Sequence, residues 1–166
     1  MRIRRGGRRA LRSWLIKTQK MKSNRHGQSR VLSTDELDLL ISKLPEQHHQ
    51  IVAEICRRTG CRIGEATQLT WGMVSESAVT FQRGITKGKL ASRSVPVTPQ
   101  LWGALCSWRA AWVVRQGREP LAGDYLVPGR FAVSCLSTRS FMDALERAAA
   151  ESGLEGISCH SFRRSA

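Results

Sequence analysis

The sequence predicts an α+β domain, mainly α-helical, with one small antiparallel β-hairpin. Apolar residues recur at helical spacing in four segments, near 33–45, 49–60, 98–117 and 137–153. From about residue 74 the pattern turns β-rich, with "AVTFQRGIT" and "SRSVPVT" on either side of "KGKLA". Helix-capping residues stand where the periodic segments begin and end. Hydrophobic residues make up 41% of the 166, enough for a packed core.

In "VLSTDELDLLISKLP", Ser33 and Glu36 stand at capping-box spacing, each side chain able to satisfy a first-turn backbone N–H. Leu37, Leu40, Ile41 and Leu44 follow on one face, and Pro45 stops the helix. A second helix runs through "HQIVAEICRRTG", with Gly60 as a left-handed cap. "RIGEATQLTW" reads as a short third helix. The two β-runs form a hairpin with Lys87, Gly88 and Lys89 at its turn. In "TPQLWGALCSWRAAWVVRQG", Pro99 suits a first turn, and Leu101, Leu105, Trp108 and Trp112 share a face. Those tryptophans read as core rather than as a platform for stacked bases. "DYLVPG" is a short extended piece. "STRSFMDALERAAAESG" is a helix capped by Ser137 or Ser140 and ended by Gly153, and "HSFRRSA" reads as the start of another.

Charge divides the chain. The net charge is +14, yet residues 1–30 hold eight Arg and three Lys with no acid. Residues 31–166 hold sixteen basic and thirteen acidic side chains. Residues 1–30 therefore read as a basic flexible arm, in which "RRALRSWLIK" can coil into a helix on DNA. Such an arm attracts a polyanion, with nucleic acid favoured over an anionic membrane surface. The arm's DNA-binding candidates are Arg2, Arg4, Arg5, Arg8, Arg9, Arg12 and Lys17, joined by Lys89, Arg93 and Arg164 in the domain. Five scattered cysteines with no C-x-x-C pair indicate neither a zinc site nor a disulfide framework, and point to a reducing cytoplasm. No apolar run reaches the roughly 18 residues of a membrane span. No apolar stretch follows the basic arm as a secretory signal requires; an Arg-rich mitochondrial presequence is the other reading of it.

Four residues in three places ask for a common explanation. Arg62 in "TGCRIGEATQLTW" follows the helix-ending glycine, with Glu65 three residues on and able to orient its guanidinium. Lys87 stands in "TKGK". His160 and Arg163 are neighbours on one turn of "HSFR". Singly, each has an ordinary explanation: a solvated charge, a hairpin lysine that protects a sheet edge, an exposed helix start.

Together and in this order, they resemble the catalytic domain of the tyrosine recombinases, the phage integrase family. The resemblance runs from about Val31 to Ala166. "TGCRIGEATQLTW" resembles the family's first arginine box, "TKGKLASRSVPV" its lysine hairpin and "HSFRRSA" its His-x-x-Arg box. It implies a mainly helical fold whose small antiparallel sheet carries the lysine. It implies catalytic roles for Arg62, Lys87, His160 and Arg163, with Glu65 supporting Arg62. Double-stranded DNA is the implied partner, with no membrane, and four protomers on two duplexes is the family's assembly. The implied setting is the cytoplasm of a bacterium or its phage, in association with the nucleoid.

The implied reaction is site-specific DNA recombination or integration. A tyrosine hydroxyl attacks a phosphodiester, a 3′-phosphotyrosyl link forms and a 5′-hydroxyl leaves; a second 5′-hydroxyl then reverses the step. Two arginine forks can hold the non-bridging oxygens of the charged transition state without a metal or another cofactor. Lys87 would protonate the leaving oxygen. An imidazole, with an ordinary pKa of about 6.5, suits His160 to acid/base work. In the family a second His or Trp and the nucleophilic tyrosine follow the His-x-x-Arg box. Here the one tyrosine is Tyr125, upstream in "GDYLVP". Residues 31–166 thus read as an incomplete catalytic domain without its nucleophile. The chain is then a fragment, a decayed gene product or a shortened, non-catalytic DNA-binding relative. A basic RNA- or ribosome-associated protein is the reading that sets the resemblance aside.

Overall fold

The computed structural model describes residues 29–166 apart from Lys87, Lys89, Leu90 and Ala132. Lys87, Lys89 and the arm candidates Arg2, Arg4, Arg5, Arg8, Arg9, Arg12 and Lys17 lie outside the described residues. Among the described residues, six helices and a two-stranded sheet follow one another as α1 (Thr34–Ser42), α2 (Gln47–Thr59), α3 (Ile63–Ala66), β1 (Ala78–Phe81), β2 (Arg93–Pro96), α4 (Pro99–Gln116), α5 (Thr138–Glu151) and α6 (Cys159–Arg164). This is the predicted mainly helical α+β architecture.

The caps are those the sequence places. Ser33 Oγ accepts from the Glu36 N–H at 3.2 Å, and the Glu36 carboxylate accepts from the Ser33 N–H at 3.0 Å. Gly60 ends α2 at φ 61°, where an L-side chain would be strained. Thr98 caps α4, Pro99 fills its first turn, and Gly117 ends it. Of the two candidates at the start of α5, Ser137 is the cap, accepting from the Ser140 N–H at 3.1 Å.

Helix α2 is the axis of the molecule. It packs against α1, α3, α4 and α6, which is why Ile51, Val52, Ala53, Ile55 and Cys56 are all buried although no single face could hold them. Its buried Arg57 bridges to Asp38 of α1 and to Glu54. Phe141 of α5 meets Phe162 of α6 edge-on, ring centres 6.3 Å apart, and meets His49 of α2 at the same distance. The tryptophans of α4 are core, as the spacing predicts: Trp108 Nε1 donates to the Leu126 carbonyl at 2.8 Å, and Trp112 Nε1 to that of Tyr125 at 3.3 Å.

The hairpin is shorter than the β-rich runs suggest. Strands β1 and β2 pair antiparallel with Ala78 opposite Pro96 and Phe81 opposite Arg93. Residues 83–86 leave the ladder and turn. Side chains replace the ladder there: Ser92 Oγ accepts from the Arg83 N–H at 2.9 Å, and Thr86 Oγ1 donates to the Arg83 and Ala91 carbonyls. Val79 and Phe81 are buried, while Thr80 and Ser94 pair their hydroxyls on the outer face. Between α3 and β1, a 3-10 turn at Trp71–Met73 replaces the end of the longer third helix. Thr70 there forms a bridge with Tyr125, so "DYLVPG" is extended because it pairs across the fold.

Packing reaches back into the stretch read as arm. The Arg30 N–H donates to the Gly156 carbonyl at 3.1 Å, and Arg164 donates to the Ser29 carbonyl at 2.6 Å. Ser29 also hydrogen-bonds Ser158, the cap of α6. Ser29 and Arg30 thus pack against α6 and the residues just before it.

Candidate phosphate-binding site

The α2–α3 junction places Arg62. Gly60 reverses the chain, Cys61 is buried, and Arg62 becomes the residue before α3. Glu65, one turn on, is 3% exposed. Its carboxylate accepts from the Arg62 N–H at 3.0 Å and from Arg62 Nη1 at 3.2 Å. It also accepts from Arg93 Nη2 at 2.7 Å. Burial alone would raise the Glu65 pKa. The Arg62 N–H and the two guanidinium groups outweigh it and hold the carboxyl below its ordinary range.

Helix α6 places His160 and Arg163. Ser161 and Phe162 are fully buried and pin it to the core. His160 and Arg163, three residues apart, are left exposed on its outer side. Ser158 Oγ accepts from the His160 N–H at 3.1 Å and fixes the first turn. Among the described residues, the Arg163 guanidinium has no ion-pair partner.

The two ends of the domain meet. Arg62, His160 and Arg163 line one cleft of about 190 Å³, walled by Cys61, Ile63 and Gly64, by Thr138 and Met142 of α5, and by Cys159. Larger grooves of about 460 and 550 Å³ flank α4, but their charges are mixed: Glu46 with Arg115 in one, Arg109 with Glu119 in the other. The small cleft differs in having two arginines and an imidazole and no acid among its lining residues. Two guanidinium groups and an imidazole side by side can donate to an anion with several acceptor oxygens.

Three predicted residues, Arg62, His160 and Arg163, thus line one cleft, and Glu65 reaches it through Arg62. Arg93 reaches the cleft only by way of Glu65, and Arg164 is turned to Ser29. Sequence reasoning missed Thr138, Met142, Cys61 and Cys159 as lining, since none carries a recognisable chemical pattern. It also missed the Arg93–Glu65 pair, 28 residues apart. The signal for that pair was strand parity: Arg93 alternates with Val95 and Val97, so it belongs to the inner face.

Solved structures share this fold. The catalytic domain of bacteriophage HP1 integrase matches with a TM-score of 0.55 at 17% identity, covering 83% of this chain and 69% of that one. The XerH site-specific recombinase bound to difH substrate matches at 0.63 and 20%, covering 81% and 41%. A lambda integrase dimer bound to a COC′ core site matches at 0.62 and 17%, covering 86% and 54%. The chain thus spans about half, or less, of the XerH and lambda integrase chains. No curated protein sequence matches it. The family model of the phage integrases matches residues 30–166, almost the whole described domain, and the chain belongs to the phage integrase family.

Proposed function

We propose that the cleft holds one phosphodiester of duplex DNA, as the phosphate-gripping part of a tyrosine-type site-specific recombinase. The observation that carries this is the convergence of Arg62, His160 and Arg163 on one acid-free cleft from segments about a hundred residues apart. Arg62 and Arg163 grip the non-bridging oxygens and stabilise the charge that develops in the transition state. Removing one such preorganised donor costs on the order of 10²–10³ in rate. His160 exchanges a proton with the attacking group or hydrogen-bonds the phosphate. Lys87, on the loop between β1 and β2, protonates the leaving 5′-oxygen. The basic arm, apart from Ser29 and Arg30 that pack on the domain, runs along neighbouring phosphates, its excess of Arg and Lys with no acid being suited to a polyanion. If they neutralise about five phosphates, affinity falls with salt at a log–log slope of about −4 to −5.

Tyr125 favours a second reading, that this 166-residue chain binds DNA without cleaving it. Its backbone is bridged to Thr70 and capped by Trp112, and it is absent from the cleft lining. The two readings part on a nicked suicide substrate. The chain is expected to bind the duplex and to form no denaturation-resistant protein–DNA band; such a band would overturn the second reading. Weaker binding by Arg62→Ala and Arg163→Ala supports the phosphate site, and binding unaffected by both would sink it. Selective binding of structured RNA over duplex DNA would restore the RNA-associated alternative.

A further inference from the structure

We propose that Arg93 is a positioning residue that acts on Arg62 through Glu65 and ties the base of the 82–92 loop to the phosphate cleft. Three donors converge on the Glu65 carboxylate. Oε1 takes Arg62 Nη1, while Oε2 takes the Arg62 N–H and Arg93 Nη2. A buried carboxylate with one oxygen held from the strand side keeps a single rotamer, so its other oxygen stays aimed at Arg62. Arg93 is itself fixed. It stands directly opposite Phe81 in the last pair of the ladder, and its guanidinium lies over the Phe81 ring at 4.5 Å. Phe81 is fully buried. The strand end, the buried ring, the second arginine and the carboxylate form one connected unit reaching Arg62.

The same unit closes the root of the loop that carries Lys87, because Phe81 and Arg93 are where that loop leaves and rejoins the sheet. Charge supports a positioning role over a phosphate contact. Glu65 cancels one of the two guanidinium charges, and Arg93 has the shorter contact to it, 2.7 Å against 3.2 Å. That leaves Arg62 the less neutralised of the two, at the cleft. The importance of this link for DNA rests on the proposed function, whereas the link itself does not.

The experiment uses the whole 166-residue chain and a fluorescein-labelled duplex of arbitrary sequence. Affinities are measured for Arg93→Gln, Arg93→Lys, Arg62→Ala and the double variant Arg62→Ala/Arg93→Gln. The Glu65 carboxyl is titrated by NMR in each, and melting confirms that each is folded. Arg93→Gln is expected to raise the Glu65 pKa and to weaken duplex binding about five- to tenfold, within the range of couplings between residues of one network. Arg93→Lys restores part of both effects. In the Arg62→Ala background, Arg93→Gln changes affinity less than about twofold, because nothing remains to position. Additive losses, with the salt slope lowered by about one phosphate for Arg93→Gln, would show a direct phosphate contact and overturn the proposal. An unchanged Glu65 titration in Arg93→Gln would overturn it too. If Arg62→Ala leaves duplex binding intact, the proposed function fails. The link is then decided by the Glu65 titration and by whether Arg93→Gln speeds exchange of the Arg62 side-chain N–H.

Discussion

Two arginine–carboxylate sites in this molecule use the same chemical groups to opposite ends. At the cleft, Glu65 is buried and shared by Arg62 and Arg93, each guanidinium donating through one nitrogen. Near the end of α4, Asp124 meets Arg118 at the surface, with both Arg118 nitrogens on its two oxygens at 2.6 and 2.9 Å. The surface pair spends the whole fork within the protein. It braces a turn, since Asp124 also accepts from the Leu121 N–H at 2.7 Å, and Arg118 lies over Trp112. At the cleft, one acid divided between two arginines leaves Arg62 with donors to spare and a net positive charge beside a concavity. The pairing is common to both sites; burial and stoichiometry decide which one can bind an anion.

This contrast is open to four tests, of decreasing effect. Loss of one cleft arginine should act mainly on binding: Arg62→Ala or Arg163→Ala is expected to weaken duplex affinity about tenfold and to lower the salt slope by about one, as read by fluorescence anisotropy across a salt series. Equal weakening by Arg118→Ala would erase the distinction between the sites. Next, Glu65→Ala should destabilise the fold by about 2 kcal/mol in urea unfolding, because a buried acceptor of three hydrogen bonds is lost. Glu65→Gln keeps one acceptor oxygen and should cost less.

The third test is acid titration of the melting temperature. The pKa values of His48 and His49 are lowered to about 4, in each case chiefly by burial, with Arg115 adding to the effect on His48 and the His48 ring to that on His49. Between pH 6.5 and 4 the unfolded chain takes up protons that the folded chain refuses, so stability falls as pH falls through this window. His49 matters most here: it is buried, and neither ring nitrogen has a hydrogen-bond partner among the described residues. His49→Phe should flatten this limb, and an unaltered limb would remove His49 as its source. The carboxylates follow at lower pH. Glu65 and Asp124 both titrate below their unfolded values, Asp124 at about 2 through its hydrogen bond from Arg118, so their stabilisation is present above the unfolded pKa and is lost on further acidification. The smallest effect is expected for Asp124→Asn, a small drop in melting temperature, because the amide keeps one acceptor oxygen for the turn and solvent screens the lost charge pair with Arg118.

Legibility from the sequence followed the range of the interaction. Ser33 with Glu36, Gly60, Thr98 with Pro99, and Ser137 could be read directly, because a cap is satisfied within four residues. The Leu101, Leu105, Trp108 and Trp112 face was legible because helical period is local. Strand ends were not: Ile85 and Thr86 are β-prone, but Thr86 and Ser92 offer the backbone other partners. Strand parity places Arg93 on the inner face without naming its partner, and Arg164 carries no such signal. Their contacts to Glu65 and Ser29 cross 28 and 135 residues, and no local pattern encodes those distances.

By itself the sequence determined where the helices lie, most of their caps and the presence of a hairpin, since each depends on hydrogen bonds and periodicities only a few residues long. Only the tertiary structure decided that Arg62 shares a cleft with His160 and Arg163, that Glu65 divides itself between two arginines, and that Arg164 donates to the Ser29 carbonyl. Those outcomes depend on how α2, α5 and α6 pack around Phe141 and Phe162, and packing sums small contacts from the whole chain.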